Sequence, residues 1–250
     1  MILAQSSLEI LRFKSLDSTN QEALRQISAG RRGPLWIVAE EQTQGRGRSG
    51  RRWISPKGNL YASLLLNPRV TAPAATQLAF VAALAAFDAA AEQLPPDRAS
   101  GLRLKWPNDV MFGGAKLAGI LIESSTCPEG HLAVIIGIGI NVSESPADAK
   151  RAATSLEAGP QCVEPVFQAL AAAFDKWLAL WDEGKAFDQI REAWLAKTLA
   201  VGDPISVNTS NTLVRGRFAG VDSNGALKLE TAPGVVIIVN AGDIHSGAEG

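Results

Sequence analysis

The chain has 250 residues, 46% of them hydrophobic and 20% charged, which excludes a disordered or fibrous protein. Its 24 basic and 25 acidic residues leave a net charge of −1, which excludes wholesale nucleic-acid binding through a basic surface. Two cysteines, Cys127 and Cys162, form neither a metal-ligand spacing nor a disulfide framework.

The first fourteen residues, MILAQSSLEILRFK, lack the basic start, apolar run and cleavage site of a signal peptide. Residues 8–16 read as a first strand. The helix start Asp17-Ser18-Thr19-Asn20 follows, with Thr19 and Glu22 spaced as a capping box and Gly30 as the stop. Leu35–Ala39 reads as a buried strand, residues 40–52 as a polar connection rich in Gly and Arg, and Leu60–Leu66 as another strand. Residues 77–90 are Ala/Leu-rich and flanked by Pro73 and Pro95, the pattern of a helix. The wider segment 72–91 comes nearest to a membrane span, but Pro73, Gln77 and Asp88 interrupt it, so a cytoplasmic protein is expected.

Two short strands follow, at 102–106 and 109–112, and Gly113-Gly114 signals a two-residue hairpin into 116–123. Residues 131–142 are strongly β, and Val163–Trp181 and 187–199 read as helices. From Gly202 the texture changes to closely spaced strands at 205–209, 212–221, 226–230 and 235–240, suggesting a small β-barrel. The expected domains are therefore 1–200 and 201–250.

Three constellations stand out. Gly45-Arg46-Gly47-Arg48-Ser49-Gly50-Arg51-Arg52-Trp53 matches the dinucleotide fingerprint formally. That fingerprint needs a helix directly after it and an acid about 20 residues on. Trp53-Ile54-Ser55-Pro56 cannot open a helix and the region near Arg69 is not acidic, so the reading fails. What remains is a mobile loop whose arginine forks suit phosphate or carboxylate oxygens, with Trp53 offering a face to a nucleobase. The plain alternative is a solvated basic loop.

The second constellation is Lys105-Trp106-Pro107-Asn108-Asp109 through Lys116-Leu117-Ala118-Gly119. A Gly-Gly turn sets Met111 opposite Lys116 and Asp109 opposite Ala118. Asp109 and Lys116 then share a face as diagonal neighbours roughly 7–8 Å apart. Such a pair suits an anionic, metal-bound ligand, or is simply a surface pair. Third, Gly137-Ile138-Gly139-Ile140-Asn141 places two glycines inside a strand, where a ligand or a neighbouring helix must pack against the backbone. His131 and His245 are expected in turns facing solvent.

Taken together, Asp17-Ser18-Thr19-Asn20, Glu41-Gln42-Thr43-Gln44-Gly45-Arg46-Gly47-Arg48, Lys105-Trp106-Pro107-Asn108-Asp109, Lys116-Leu117-Ala118-Gly119 and Gly137-Ile138-Gly139-Ile140-Asn141 closely resemble the biotin protein ligase family. The resemblance implies an α+β fold, a mixed-sheet catalytic domain related to lipoate ligases followed by an SH3-like barrel. It implies that biotin and ATP give biotinyl-5′-AMP and pyrophosphate, with Mg²⁺, and that the biotinyl group passes to a lysine of a biotin carboxyl carrier domain.

On that resemblance Ser18, Thr19, Asn20 and Gln42 would bind the ureido ring, with Gly45, Arg46 and Gly47 alongside. Gly119, Gly137 and Gly139 would leave room for the valeryl chain. Lys116, Arg46 and Arg48 would offset the repulsion between biotin carboxylate and α-phosphate. Trp53 and Asn108 would contact adenine, Arg51 and Asn141 would complete the ATP site, and Asp109 would help hold Mg²⁺ or receive the acceptor lysine's proton.

The assigned catalytic set is Lys116, Arg48 and Asp109, with no protein metal site assigned. The Arg46–Arg52 loop is expected to be disordered without ligand and to close over the adenylate, and the barrel to dock the carrier or steady the ATP site. The early Ser-Thr-Asn motif suggests a ligase without DNA-binding repressor function, the lack of an uninterrupted apolar span suggests no membrane attachment, and a homodimer is left open. Alternatives are a lipoate or octanoate ligase or transferase of the same fold, and a non-catalytic biotin sensor.

Overall fold

The computed structural model describes residues 9–146, 152–209 and 212–246. A seven-stranded sheet forms the body, built from β1 (Glu9–Phe13), β2 (Leu35–Ala39), β3 (Leu60–Leu66), β4 (Leu102–Lys105), β5 (Asp109–Phe112), β6 (Ala115–Thr126) and β7 (Leu132–Ile140). The spatial order is β1-β2-β3-β7-β6-β5-β4. Only the β1–β2 pair is parallel, so the sheet is mixed, as expected.

Both faces of the sheet are used, which explains why β2 and β3 read as continuous apolar runs. Trp36, Val38, Leu60, Leu64, Val134, Ile136 and Ile138 point into the main core. There α2 (Ala72–Ala75), α3 (Leu78–Glu92), α4 (Pro96–Ala99), α5 (Val163–Trp181) and α6 (Phe187–Leu195) accompany the sheet. The helical segment Ala72–Glu92 is long and apolar enough to cross a membrane, yet most of it is buried here. Its apolar residues, Phe80, Val81 and Leu84 among them, fill the core.

On the opposite face, α1 (Thr19–Ser28) covers only part of the sheet. Ala23 and Ile27 pack on Leu35, Ile37, Leu65 and Ile135. By alternation, Tyr61, Ser63, Gly137 and Gly139 occupy the remainder of that face, beside the first turn of α1. The site is built on this part of the sheet.

Several local expectations are corrected. The first strand spans only Glu9–Phe13, and Leu8 lies outside the described residues. The Thr19–Glu22 capping box does not form. Ser18 is the N-cap residue with extended backbone, while Thr19 Oγ1 bonds Gln42 and Glu22 bonds Arg25 and Gln26. Gly30 does follow the helix end, at φ +80°.

The Gly113-Gly114 turn forms with φ of +58° and +82°, the left-handed pair such a hairpin requires. Met111 faces Lys116 as expected, but Asp109 faces Gly119 rather than Ala118. The physical reason is a bulge at Leu117, whose carbonyl accepts from Asn141 N at 3.0 Å and whose side chain is buried. The last helix ends at Leu195 instead of residue 199. Beyond it, Lys197 O accepts from Leu104 N, and Thr198 Oγ1 donates to Leu104 O at 2.7 Å, so this stretch lies along the β4 edge.

The C-terminal strands β8 (Pro204–Asn208), β9 (Leu213–Val221), β10 (Leu227–Ala232), β11 (Val235–Val239) and β12 (Asp243–Ser246) form an antiparallel sheet ordered β11-β10-β9-β8-β12. This barrel-like unit agrees with the expected SH3-like domain. His245 sits half-buried within β12 and not in a turn, whereas His131 is exposed. Ile205, Val207, Phe218, Leu227 and Leu229 belong to the same core as α3 and α6. Trp106 Nε1 donates to Gly225 O at 3.0 Å across the junction.

Candidate active site

A cavity of about 620 Å³ lies over the uncovered part of the sheet. Ser18, Thr19, Asn20, Gln42, Arg46, Gly47, Arg48, Arg51, Trp53, Asn108, Asp109, Lys116, Gly119, Gly137, Gly139 and Asn141 all line it. These residues span more than 120 positions of sequence and converge only through the fold. Gly45 does not line the cavity. A Cβ there would lie 2.5 Å from Trp53 O and 2.6 Å from Ser55 Oγ, so its lack of a side chain permits a tight turn.

One end of the cavity carries neutral hydrogen-bonding groups in a connected network. Gln42 Oε1 accepts from Thr19 N (2.8 Å) and Thr19 Oγ1 (3.1 Å), while Gln42 Nε2 donates to Ser55 Oγ at 3.0 Å. Ser63 Oγ lies 2.7 Å from Thr19 Oγ1 and 2.5 Å from Asn20 Oδ1. Asn20 Nδ2 donates to Glu123 Oε2 at 2.7 Å. Ser18, Thr19, Asn20 and Ser63 are all buried, so the network is held in fixed geometry. At the helix start, the Arg25 guanidinium beside Asp17 holds that carboxyl below its ordinary range.

The other end is cationic. Lys116 Nζ lies 2.5 Å from Asp109 Oδ1 and 5.2 Å from the centre of the Trp53 ring. The Lys116 backbone is pinned on its outer side, with Lys116 N donating to Ala152 O and Thr154 N donating to Lys116 O. Arg48 Nη1 donates to Asn108 Oδ1 (3.3 Å) and Gly242 O (3.4 Å). Arg51 grips Asp243 with two bonds of 3.0 and 3.2 Å, and Arg46 Nη2 lies 3.7 Å from Glu123 Oε1.

The loop expected to be disordered by self-repulsion is a formed turn, with Gly47 N bonded to Arg51 O and Trp53 N to Gly45 O. No acid is interleaved with its arginines, but Asp243 and Glu123 arrive from the barrel and from β6.

Residues 12–141 match the Biotin/lipoate A/B protein ligase family, and residues 201–245 match the Biotin protein ligase C terminal domain. The chain belongs to the biotin protein ligase family. A biotin–[acetyl-CoA-carboxylase] ligase of Paracoccus denitrificans is 43% identical over 89% of this chain and 94% of its own. The bifunctional ligase/repressor of Bacillus subtilis (strain 168) is 36% identical over 84% of this chain and 66% of its own. The biotin protein ligase from Aquifex aeolicus in complex with biotin and ATP superposes with a TM-score of 0.77. It shares 27% identity and covers 96% of this chain and 99% of its own. That of Leishmania major in complex with biotinyl-5-AMP superposes at 0.60, with 26% identity, covering 93% and 99%.

Within this ligase fold, three sets of the assigned residues also have protein partners of their own. Gly119 and Gly139 face one another across β6 and β7, and the Trp53 indole lies on them. A Cβ on Gly139 would meet Trp53 Cε2 at 2.7 Å, and one on Gly137 would meet Asn20 Oδ1 at 2.3 Å. These glycines line the cavity and also seat protein side chains. Asn108 Nδ2 bonds Ile120 O and its Oδ1 takes Arg48, so its amide secures the loop. Asn141 Nδ2 donates to Thr154 O at 2.9 Å, holding the segment that pins Lys116.

The ligase cavity also uses residues that sequence reasoning missed. Ser63 is the polar residue within the apolar run LYASLLL, a signal that could have been read. Tyr61 lines the cavity, burial pushes its phenol up, and its hydroxyl donates to Pro56 O at 2.7 Å. Asp243 and Glu123 carry no local signal, since their partners lie far away in sequence.

Proposed function

We propose that this chain is an ATP-dependent biotin protein ligase that forms biotinyl-5′-AMP and transfers the biotinyl group to a lysine of a biotin carboxyl carrier domain. The observation that carries this is the polarity of the cavity over the sheet. Neutral, directional groups from α1 and Gln42 occupy one end, and Lys116 with the arginine loop occupies the other. A ureido ring needs the former, and two anions brought together for reaction need the latter.

In the first step a biotin carboxylate oxygen attacks the α-phosphorus of ATP. The new C–O–P linkage forms as the bond to the β-phosphate breaks and pyrophosphate leaves. Lys116 and Arg48 neutralise the approaching oxygens, and Asp109 holds the Lys116 ammonium toward them. In the second step the acceptor lysine's amine attacks the acyl carbon, AMP leaves with the bonding pair, and the amine sheds a proton. Asp109 is the carboxylate assigned to receive that proton. Ser18, Thr19, Asn20, Gln42 and Gly47 bind biotin, while Arg46, Arg51 and Trp53 contact the nucleotide. Asn108 and Asn141 support that end by fixing the loop and Lys116.

Among the described residues no group of three or more His, Cys, Asp or Glu side chains could hold a metal. The buried Asp109 Oδ1, close to Lys116 but outside hydrogen-bond alignment, would be one protein donor to the ion. This set suits Mg²⁺ carried on the nucleotide, whose phosphates supply the other ligands and whose charge the ion offsets. The unit from 201 onward acts as a separate domain in function, with Asp243 and the Gly242 carbonyl holding the loop.

The test is pyrophosphate release from ATP with biotin or lipoate, followed by labelling of an apo carrier domain. The proposal expects biotin-dependent release and labelling. Preference for lipoate points to the sister activity, and tight biotin binding with neither step points to a sensor.

A further inference from the structure

We infer that Glu123 is a positioning residue of the biotin site, fixing which end of the Asn20 amide faces which partner and tying the arginine loop to the same wall. The inference rests on the ligase reading above and extends it to a residue outside the cavity lining.

An asparagine amide has a donor end and an acceptor end of nearly the same shape, so its orientation is set by its partners. Asn20 is 3% exposed, and its amide bonds Ser63 and Glu123. A serine hydroxyl both donates and accepts, and therefore fits either orientation. A carboxylate only accepts. Glu123 Oε2, 2.7 Å from Asn20 Nδ2, thus makes the choice, leaving Oδ1 to take the Ser63 hydroxyl. The amide cannot escape by shifting across the sheet, because Gly137 sits so close beneath it that even a Cβ would collide.

The same carboxylate has a second oxygen, and Oε1 lies 3.7 Å from Arg46 Nη2. Arg46 also donates to Gln21 Oε1 at 3.1 Å, on the residue after Asn20. Glu123 therefore links the neutral end of the cavity to the first arginine of the loop. Its place on β6, two positions beyond Leu121 and four beyond Gly119, points it to the site face.

The experiment measures KM for biotin, KM for ATP and kcat of pyrophosphate release in the wild type, E123A, E123Q, N20A and the N20A/E123A pair. E123A removes a charged acceptor and is expected to raise the biotin KM about ten-fold or more, and the ATP KM by less, since its tie to Arg46 spans 3.7 Å. E123Q sets an amide that can accept or donate beside Asn20, so it fixes the orientation less well and is expected to raise the biotin KM to between the wild type and E123A. With Asn20 already removed, E123A is expected to add less than about three-fold, because the two residues act as one unit.

Where alanine does not fold, E123L, of similar bulk and without an acceptor, gives the same comparison. An unchanged biotin KM in E123A or E123L, an E123Q enzyme indistinguishable from wild type, or multiplying effects in the pair overturn the inference while the ligase reading stands. A wild type without biotin-dependent pyrophosphate release overturns both.

Discussion

At the scale of the residue, the site is governed by what each side chain is held against. Lys116 is a flexible ammonium made directional by Asp109 on one side, the Trp53 ring on another and a pinned backbone beneath. Away from the site, Asp175 on α5 has a buried carboxyl oxygen without a hydrogen-bond partner, and burial pushes its pKa up to about 6. An acid whose pKa is raised on folding favours the folded state in its protonated form. Stability is therefore fully present below its ordinary value near 3.8 and is lost as the pH rises through about 6. Asp175→Asn is expected to raise the melting temperature at pH 7.5, with the gain shrinking toward pH 4. A gain that is the same at both pH values contradicts this account of Asp175.

At the scale of the element, the arginine loop is held from two sides by acids distant in sequence. Arg51 and Arg48 reach Asp243 at the start of β12, and Arg46 reaches Glu123 on β6. Asp243→Asn removes the charge that Arg51 grips bidentately and is expected to speed amide hydrogen exchange across residues 46–52. Exchange there at the wild-type rate contradicts the anchoring role.

These elements also show what was legible in sequence. The Gly-Gly hairpin, the strand at Leu60–Leu66 and the helix at Val163–Trp181 were readable because turn chemistry and periodicity are local. The bulge at Leu117 was not, because it follows from a bond to Asn141 on another strand. Sixteen of the 26 lining residues could be named from their motifs, while Tyr61, Pro146, Ala153 and Asp243 lie outside them. The seats that Gly119, Gly137 and Gly139 make for Trp53, Lys116 and Asn20 could not, since they depend on which side chains fold back onto the sheet.

At the scale of the whole molecule, the change of texture near residue 201 is not a break in the core. Gly225 adopts φ +85°, and a Cβ there would meet the Phe80 ring at 2.6 Å. Gly225→Ala thus combines a left-handed backbone with overpacking between the barrel and α3, at a cost of about 1–3 kcal/mol. A melting temperature equal to wild type contradicts the shared core. Because the barrel also holds the arginine loop, this junction joins stability to the geometry of the cavity.

The central claim is that one cavity adenylates biotin by focusing positive charge where carboxylate and α-phosphate meet. It is tested most directly by biotin-dependent pyrophosphate release in the wild type and in Lys116→Ala, with biotin binding measured in parallel. Removing a charge used in the transition state costs about 3–4 kcal/mol. The expected result is a loss of two to three orders of magnitude in rate, on the order of that cost, in a folded protein that still binds biotin. Pyrophosphate release at near the wild-type rate in Lys116→Ala contradicts the account.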